Sequence, residues 1–221
     1  MKPSKFFGLF FPFVMLGIPW IYLAYIWNDL PQTVATHFGM NGSPDKYGDK
    51  SEVIVIMLVL TVAGMVTYLL LQNLYKIDPK KKYTESTSVV MKKISVVVIL
   101  LVSFISFFIL HSMLHSKITG LPLLFCGISL FLAYTGNLMH SIKPNYFAGI
   151  RLPWTLENED NWRKTHQLAS KVWFAGGILL AILSLLLNTE ILIIIFLIIV
   201  SVMVAIPVIY SYIIYKKSLH N

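Results

Sequence analysis

Long apolar stretches alternate with short polar breaks along most of this 221-residue chain. A helix needs about 20 apolar residues to cross a hydrocarbon core of about 30 Å. Six stretches have this character: residues 6–27, 53–75, 94–114, 121–139, 171–187 and 191–215. The pattern predicts an all-α, polytopic membrane protein with six transmembrane helices. No loop is long enough to form a soluble domain of its own.

The polar breaks group the predicted helices into three hairpins joined by two larger loops. Residues 1–75 form an N-terminal helical hairpin around an extracellular loop at 28–52, called the hairpin loop below. Residues 76–93 are a basic, Ser/Thr-rich cytoplasmic connector. Residues 94–221 form a four-helix region interrupted by a cytoplasmic loop at 142–167, which is rich in Gly, Pro, Trp and Arg and is called the signature loop.

The charge of the chain is explained by its position in a membrane. Hydrophobic residues make up 57% of the chain, charged residues 13%, and the formal net charge is +8. Lys and Arg concentrate in the cytoplasmic loops of membrane proteins. With both termini inside, 15 of the 18 Lys and Arg residues lie in inner segments and 3 in outer ones. This predicts an N-in, C-in topology, with membrane lipid and no nucleic acid as a partner.

The hairpin loop combines a β-prone stretch with a tight-turn signal. Thr33–Phe38 is β-prone, and the following Asn41 and Gly42 tolerate the positive φ angles of a tight turn. We expect a small, ordered extracellular cap with a short strand and a turn. Two interpretations remain open: a well-structured connector, or a cap that contacts a ligand.

The predicted spans offer little catalytic chemistry. Their interiors contain no Asp, Glu, Lys or Arg, which argues against an ion-coupled transporter but not against a pore or a flippase. No hydrolase or nucleotide motif occurs, so enzymatic activity is left open and is not favoured. His111 and His115 have zinc-like spacing, yet no Cys or carboxylate accompanies them. We therefore predict no metal site and no cofactor.

The end of the signature loop has the spacing of an amphipathic helix. Four residues recur on one helical face: Trp162, His166, Ala169 and Trp173. Thr155 or Asn158 can cap such a helix. The pattern predicts an interfacial helix that enters the fifth span.

The first half of the signature loop is dense in residues with special roles. Gly149 permits a backbone turn that places Arg151 toward the helix ends. The planar guanidinium of Arg151 can bind carbonyl oxygens, phosphate or carboxylate, and Trp154 suits the headgroup layer. The loop is either a structural brace or a binding site for a lipid headgroup, a peptide or a protein partner.

The order of residues in these two loops resembles that of a known family. The signature loop is similar to that of the SdpI family, and the hairpin loop resembles a small N-terminal domain of unknown function that often precedes it. The residues carrying the first resemblance are Gly136, Asn137, Asn145, Gly149, Ile150, Arg151, Pro153, Trp154, Thr155, Trp162, Thr165 and His166. Those carrying the second are Pro31, His37, Phe38, Gly42, Pro44, Asp45 and Lys50.

The resemblance implies a candidate site in each loop. Candidate ligand- or partner-binding residues in the signature loop are Asn145, Gly149, Arg151, Trp154, Thr155, Trp162 and His166. Candidate residues of the extracellular loop are His37, Phe38, Asn41, Gly42, Pro44, Asp45 and Lys50.

The resemblance also implies a function. The family includes a six-span immunity protein that protects a bacillus from its own secreted killing peptide and holds a repressor at the membrane. By this resemblance, the chain is a multi-pass protein of the bacterial plasma membrane. It would protect the producing or a neighbouring cell from a secreted, membrane-active peptide toxin outside and signal to a repressor inside. The alternative is a lipid- or small-molecule-handling protein of the cell envelope, such as a flippase or a membrane enzyme.

Overall fold

The computed structural model describes residues 5–39, 43–80, 82, 84–117 and 120–219. It is mostly helical, at 77%. In chain order, its helices and strands are α1 Lys5–Ile26, β1 Thr33–Phe38, β2 Pro44–Asp49, α2 Glu52–Asn73, α3 Thr84–His115, α4 Leu121–Met139, α5 Pro153–Glu157, α6 Glu159–Leu186 and α7 Thr189–Ser218. A short 3-10 turn, Leu74–Lys76, follows α2.

Five of the described helices are long and apolar enough to cross a membrane. They are α2 with the turn that follows it, α3, α4, α6 and α7. In α1, the apolar part with described side chains, Phe10–Ile26, is shorter than a full span. The multi-pass membrane class is therefore confirmed, and the sixth span stays a prediction.

The helix bounds agree with the sequence pattern at α4, which covers the predicted stretch 121–139. Two other helices begin well before their apolar stretches, whereas the remaining long helices begin within two residues of theirs. Helix α3 begins at Thr84, inside the predicted connector. Helix α6 begins at Glu159, so the predicted interfacial helix and the fifth span are one continuous helix. Polar residues extend both helices because a helix continues until its backbone is capped or broken, whether or not it lies in lipid.

The hairpin loop contains a two-stranded antiparallel sheet in which β1 pairs with β2. The pairing runs from Thr33 with Asp49 to Phe38 with Pro44, and its register shifts on both sides of His37. The sequence predicted the first strand but not the second. An all-α description therefore holds for the long helices and not for this loop.

The chain divides into two compact units, the first of which comprises Met1–Leu69 and Ser95–Leu124. Val34 of β1 is fully buried in this unit and packs in an apolar cluster. The other buried members come from α1, the loop after it, α2 and α3: Leu23, Ile26, Leu30, Val53, Met57, Leu110 and Met113. Burial of a Val side chain contributes about 1.5–3 kcal/mol. Val34 therefore fixes the β1–β2 sheet to the helices of its unit.

The second unit comprises Leu70–Ile94 and Phe125–Asn221. Helices α4 and α6 approach closely at Gly177, where an added Cβ would lie 2.6 Å from the backbone nitrogen of Ala133. Small residues allow such backbone contact between membrane helices. Trp173 of α6 donates a hydrogen bond from Nε1 to the carbonyl oxygen of Met203 in α7, at 2.9 Å. These contacts pack α4, α6 and α7 together, and the signature loop lies between α4 and α6 in the chain.

Candidate functional site

The signature loop begins with a turn built around the buried side chain of Asn145. Its Nδ2 donates to the carbonyl oxygens of Lys143 and Ala148, at 2.8 and 3.0 Å. Its Oδ1 accepts from the backbone nitrogens of Phe147 and Ala148, at 2.8 and 2.7 Å. Two donors and two acceptor positions are the full capacity of an amide side chain. Asn145 therefore fixes the turn, and its amide keeps no unused donor for a ligand.

Gly149 and His166 form the next contact. Gly149 has a φ of +103°, and an added Cβ would lie 2.3 Å from Nε2 of His166. The same Nε2 accepts a hydrogen bond from the backbone nitrogen of Ile150 at 3.0 Å, and Nδ1 lies 2.8 Å from the carbonyl oxygen of Trp162. The bond pattern assigns the proton to Nδ1, so His166 is a neutral imidazole with both nitrogens used.

Trp162 joins His166 to the start of the signature loop. Its Nε1 donates to the carbonyl oxygen of Ile142 at 2.8 Å, and its ring stacks on His166 with centroids 4.1 Å apart. Trp162 is almost fully buried and packs in a cluster with Val90 and Leu138. The predicted face of Trp162, His166 and Ala169 is buried, so it anchors the loop rather than lining an open cleft.

Thr155 joins the middle of the loop to α5. Its hydroxyl accepts from the backbone nitrogen of Leu152 at 3.0 Å and donates to the carbonyl oxygen of Ile150 at 2.7 Å. The cap of α6 is Asn158, whose side chain accepts from the backbone nitrogens of Asp160 and Asn161. Of the two caps that the sequence offered, Asn158 therefore serves α6 and Thr155 fixes the turn before it.

Two side chains bind the signature loop to the last helix, α7. Trp154 donates from Nε1 to the hydroxyl of Ser211 at 3.0 Å, and Asn161 donates from Nδ2 to the carbonyl oxygen of Ser211 at the same distance. The ring of Trp154 also lies against Tyr212 and Tyr215, with centroids 5.5 and 5.7 Å away. The role of Asn161 was not predicted from the sequence, because its partner is 50 positions away.

Arg151 is the member of the predicted set whose side chain is exposed. Its Nη1 donates to the carbonyl oxygen of Tyr146 at 2.6 Å. The sequence had placed Arg151 toward the helix ends. Its acceptor lies instead within the signature loop. The structure thus joins the buried side chains of Asn145, Thr155, Trp162 and His166 in one framework and leaves Gly149 and Arg151 on its surface.

Asp78 is a site residue that the sequence analysis missed. It lies in the predicted connector, is buried, and accepts from the backbone nitrogens of Lys80 and Tyr146, at 2.8 and 3.0 Å. Lys80 in turn donates to the carbonyl oxygen of Leu156, and Lys82 pairs with Glu159 at 3.2 Å. The start of the connector is therefore docked on the signature loop. An acid beside Pro79 in a basic segment was the only signal available.

In the hairpin loop, His37 and Asp45 lie on neighbouring strands, with Nδ1 2.5 Å from Oδ1. Both side chains are largely exposed, at 60% and 48%, so the contact adds little to stability. Asn41 and Gly42, the predicted turn, lie outside the described residues.

The base of the hairpin carries two further contacts. The Nζ atom of Lys50 lies 4.7 Å from the ring centroid of Trp27, in cation–π geometry. Asp49 accepts a hydrogen bond from the backbone nitrogen of Ser51 at 2.8 Å. Hydrogen bonds from the side chain and backbone of Ser51 hold the pKa of Asp49 below its ordinary value. These contacts fix how the hairpin joins α2.

Among the described residues, no group of three or more His, Cys, Asp or Glu side chains is arranged to hold a metal ion. The rings of His111 and His115 lie 4.3 Å apart, and Nδ1 of His115 is 2.9 Å from the carbonyl oxygen of His111. The histidine pair is thus bonded to its own helix. That the protein needs no metal or cofactor stays a prediction.

Long apolar helices and a capped, hydrogen-bonded loop between them define a multi-pass membrane protein. Residues 141–211 match the SdpI/YfhL protein family, and residues 14–62 match a domain of unknown function, DUF1648. The chain therefore carries an SdpI-family region behind a DUF1648 domain, which confirms the resemblance seen in the sequence.

Two curated relatives are similar to parts of the chain. Over 91 residues it is 36% identical to the immunity protein SdpI of Bacillus subtilis (strain 168), covering 41% of this chain and 44% of that protein. Over 50 residues it is 34% identical to an uncharacterized protein of Archaeoglobus fulgidus, covering 23% of this chain and 27% of that protein. The chain spans less than half the length of these relatives. No solved structure matches it.

Proposed function

We propose that this protein protects a bacterial cell from a secreted, membrane-active peptide toxin. The observation that carries the proposal is the 36% identity over 91 residues to a protein named for immunity. The family match at residues 141–211 supports it, because this region includes the whole signature loop and its hydrogen bonds to Ser211 of α7. A framework with this many internal hydrogen bonds favours a binding or bracing role over a mobile catalytic loop.

We infer six transmembrane helices with both termini in the cytoplasm. The basic residues of the sequence support this arrangement, with α1 as the first span. The division into an N-terminal hairpin at 1–75, a connector at 76–93 and a four-helix region at 94–221 belongs to the same proposal. The hairpin loop would then face the toxin, and the signature loop would face the cytoplasm.

Within this proposal the two loops have different tasks. The exposed residues His37 and Asp45 of the hairpin loop, with the half-buried Lys50, would meet the toxin. The buried framework of the signature loop would keep its surface fixed. That surface would contact a cytoplasmic partner such as a repressor and signal the presence of toxin.

Deletion of the gene, followed by challenge with a panel of membrane-active peptides, tests the function. We expect the deletion strain to become sensitive to one or a few peptides, and the intact gene on a plasmid to restore resistance. A detergent of similar potency is the control and should affect both strains equally. Unchanged sensitivity to every peptide, including those that the organism itself secretes, would contradict the proposal.

A lipid-handling function is the second candidate, and the exposed guanidinium of Arg151 is the observation that favours it. The deletion strain also distinguishes the lipid-handling function from immunity. Lipid handling predicts an altered lipid composition or leaflet distribution in the deletion strain without added peptide, whereas immunity predicts a change only after the peptide is added.

A further inference from the structure

The guanidinium of Arg151 is exposed and makes one hydrogen bond within the described chain, from Nη1 to the carbonyl oxygen of Tyr146 at 2.6 Å. It forms no ion pair with a described carboxylate. Arg163 provides the contrast within the same loop, because its Nη2 lies 2.5 Å from Oδ1 of Asp160. Arg151 is thus a charged fork of donors with one arm fixed and the others available.

Hydrogen bonds of Tyr146 hold the guanidinium of Arg151 in position. The backbone nitrogen of Tyr146 donates to the buried carboxylate of Asp78 at 3.0 Å, and the carbonyl oxygen of Tyr146 accepts from Arg151. The backbone N–H and the carbonyl oxygen of Tyr146 are therefore both hydrogen-bonded. A fixed donor loses less conformational entropy on binding than a free side chain does, which favours Arg151 as a ligand-binding group.

A second cation lies near the same residue. The Nζ atom of Lys80 is 5.8 Å from the ring centroid of Tyr146 and donates to the carbonyl oxygen of Leu156. Two positive side chains thus contact one tyrosine, Lys80 at its ring and Arg151 at its backbone. Both groups suit a phosphate group, since a guanidinium binds it through paired hydrogen bonds and an ammonium group adds charge.

The aromatic residues next to Arg151 indicate its depth in the membrane. Trp154, three positions later, packs on Tyr212 and Tyr215 near the end of α7, and Lys216 lies over the ring of Tyr212 at 5.6 Å. Tyr, Trp and Lys at the end of an apolar helix are typical of the membrane–water interface. Arg151 is therefore expected at the level of the lipid phosphates.

From these observations we propose that Arg151, supported by Lys80, binds the phosphate group of an anionic membrane lipid. The proposal rests on the position of the loop at the membrane and not on any toxin. It therefore stands or falls separately from immunity.

Thermal unfolding of the purified full-length protein in a neutral detergent tests the lipid site. Phosphatidylglycerol is titrated, with phosphatidylcholine of the same chain length as the reference. We expect phosphatidylglycerol to raise the unfolding temperature of the wild type further than phosphatidylcholine does. In Arg151→Gln, the concentration that gives half of this rise should increase about tenfold, because a charge-assisted hydrogen bond is lost. The matched control, Arg163→Gln, should behave like the wild type.

Two further arms keep the test decisive. If Arg151→Gln does not fold, Arg151→Lys replaces it, and we expect a smaller loss because the charge stays and the fork is removed. Inorganic phosphate, titrated alone, should not reproduce the effect of the lipid. If it does so in the wild type and fails in Arg151→Gln, the site binds free phosphate and the lipid assignment is wrong. An equal response to phosphatidylglycerol in the wild type and all variants would overturn the site itself.

Discussion

The Nε2 atom of His166 lies 3.0 Å from the backbone nitrogen of Ile150 and accepts its hydrogen bond, across 16 positions of the chain. Gly149, directly before Ile150, allows this approach, because any side chain there would meet the same Nε2 atom at 2.3 Å. The signature loop is therefore closed by a neutral imidazole and by the one residue type that leaves room for it.

Replacement of Gly149 by Ala should disturb this closure. The new Cβ would require a non-glycine residue at a φ of +103° and would displace His166. A strained backbone of this kind costs about 1–3 kcal/mol, so we expect a lower unfolding temperature and a lower yield of folded protein. Gly17→Ala in α1 is the control, since nothing lies within 4 Å of its added Cβ. Equal unfolding temperatures for the two variants would show that the loop adapts without cost.

Replacement of His166 by Phe should destabilise the protein for a different reason. Phe keeps a flat ring against Trp162 but cannot accept the hydrogen bond from Ile150. An unsatisfied buried donor costs about 1–3 kcal/mol. Chemical denaturation should show this loss in His166→Phe but not in His111→Phe, whose ring is exposed and serves as the control. A denaturation midpoint equal to that of the wild type would contradict the assigned role.

Asp78→Asn should loosen the link between connector and signature loop. Asn retains one acceptor oxygen, so one of the two backbone donors, Lys80 or Tyr146, loses its partner. We expect faster hydrogen exchange at residues 143–150. Glu85→Gln in α3 is the matched control, because Glu85 is exposed. Exchange that stays at the wild-type rate in Asp78→Asn would mean that the connector does not support the loop.

The sequence predicts contacts between neighbouring positions better than those between distant ones. Helix α4, the Asn158 cap and the buried face of Trp162 and His166 follow from hydrophobic spacing and local capping chemistry. The partner of Asp78 is Tyr146, 68 positions away. No local preference of either residue indicates that pairing, because it depends on how the helices bring the two segments together.

Strand β2 could not be predicted for a related reason. Pro44–Asp49 contains Pro, Asp, Lys and Gly, which are poor strand formers. It is a strand because β1, which has strand-forming residues and a buried Val34, supplies the pairing partner. Position next to β1 therefore outweighs the intrinsic preference of these residues.

The proposed topology can be tested with reporter fusions. Fusions after Lys82, Asn158 and Asn221 should report the cytoplasm, and those after Gly42 and Thr119 the exterior. The excess of basic residues on the inner side motivates this expectation. The fusion after Gly42 is the critical one, since it decides whether α1 crosses the membrane. A cytoplasmic signal there would leave five spans and would reverse the proposed role of the hairpin loop.

Arg151 and Trp162 should separate the function of the signature loop from its stability. Arg151→Lys alters an exposed side chain with one hydrogen bond, so we expect nearly unchanged unfolding and membrane level but weaker protection against the peptide. Trp162→Phe removes the buried bond to Ile142 and should cost about 1–2 kcal/mol, so that protection falls together with the amount of folded protein. Protection assays normalised to membrane level measure both effects. If Arg151→Lys instead lowers stability and protection in proportion, as Trp162→Phe should, then Arg151 is a brace, and the binding role must be sought in the hairpin loop.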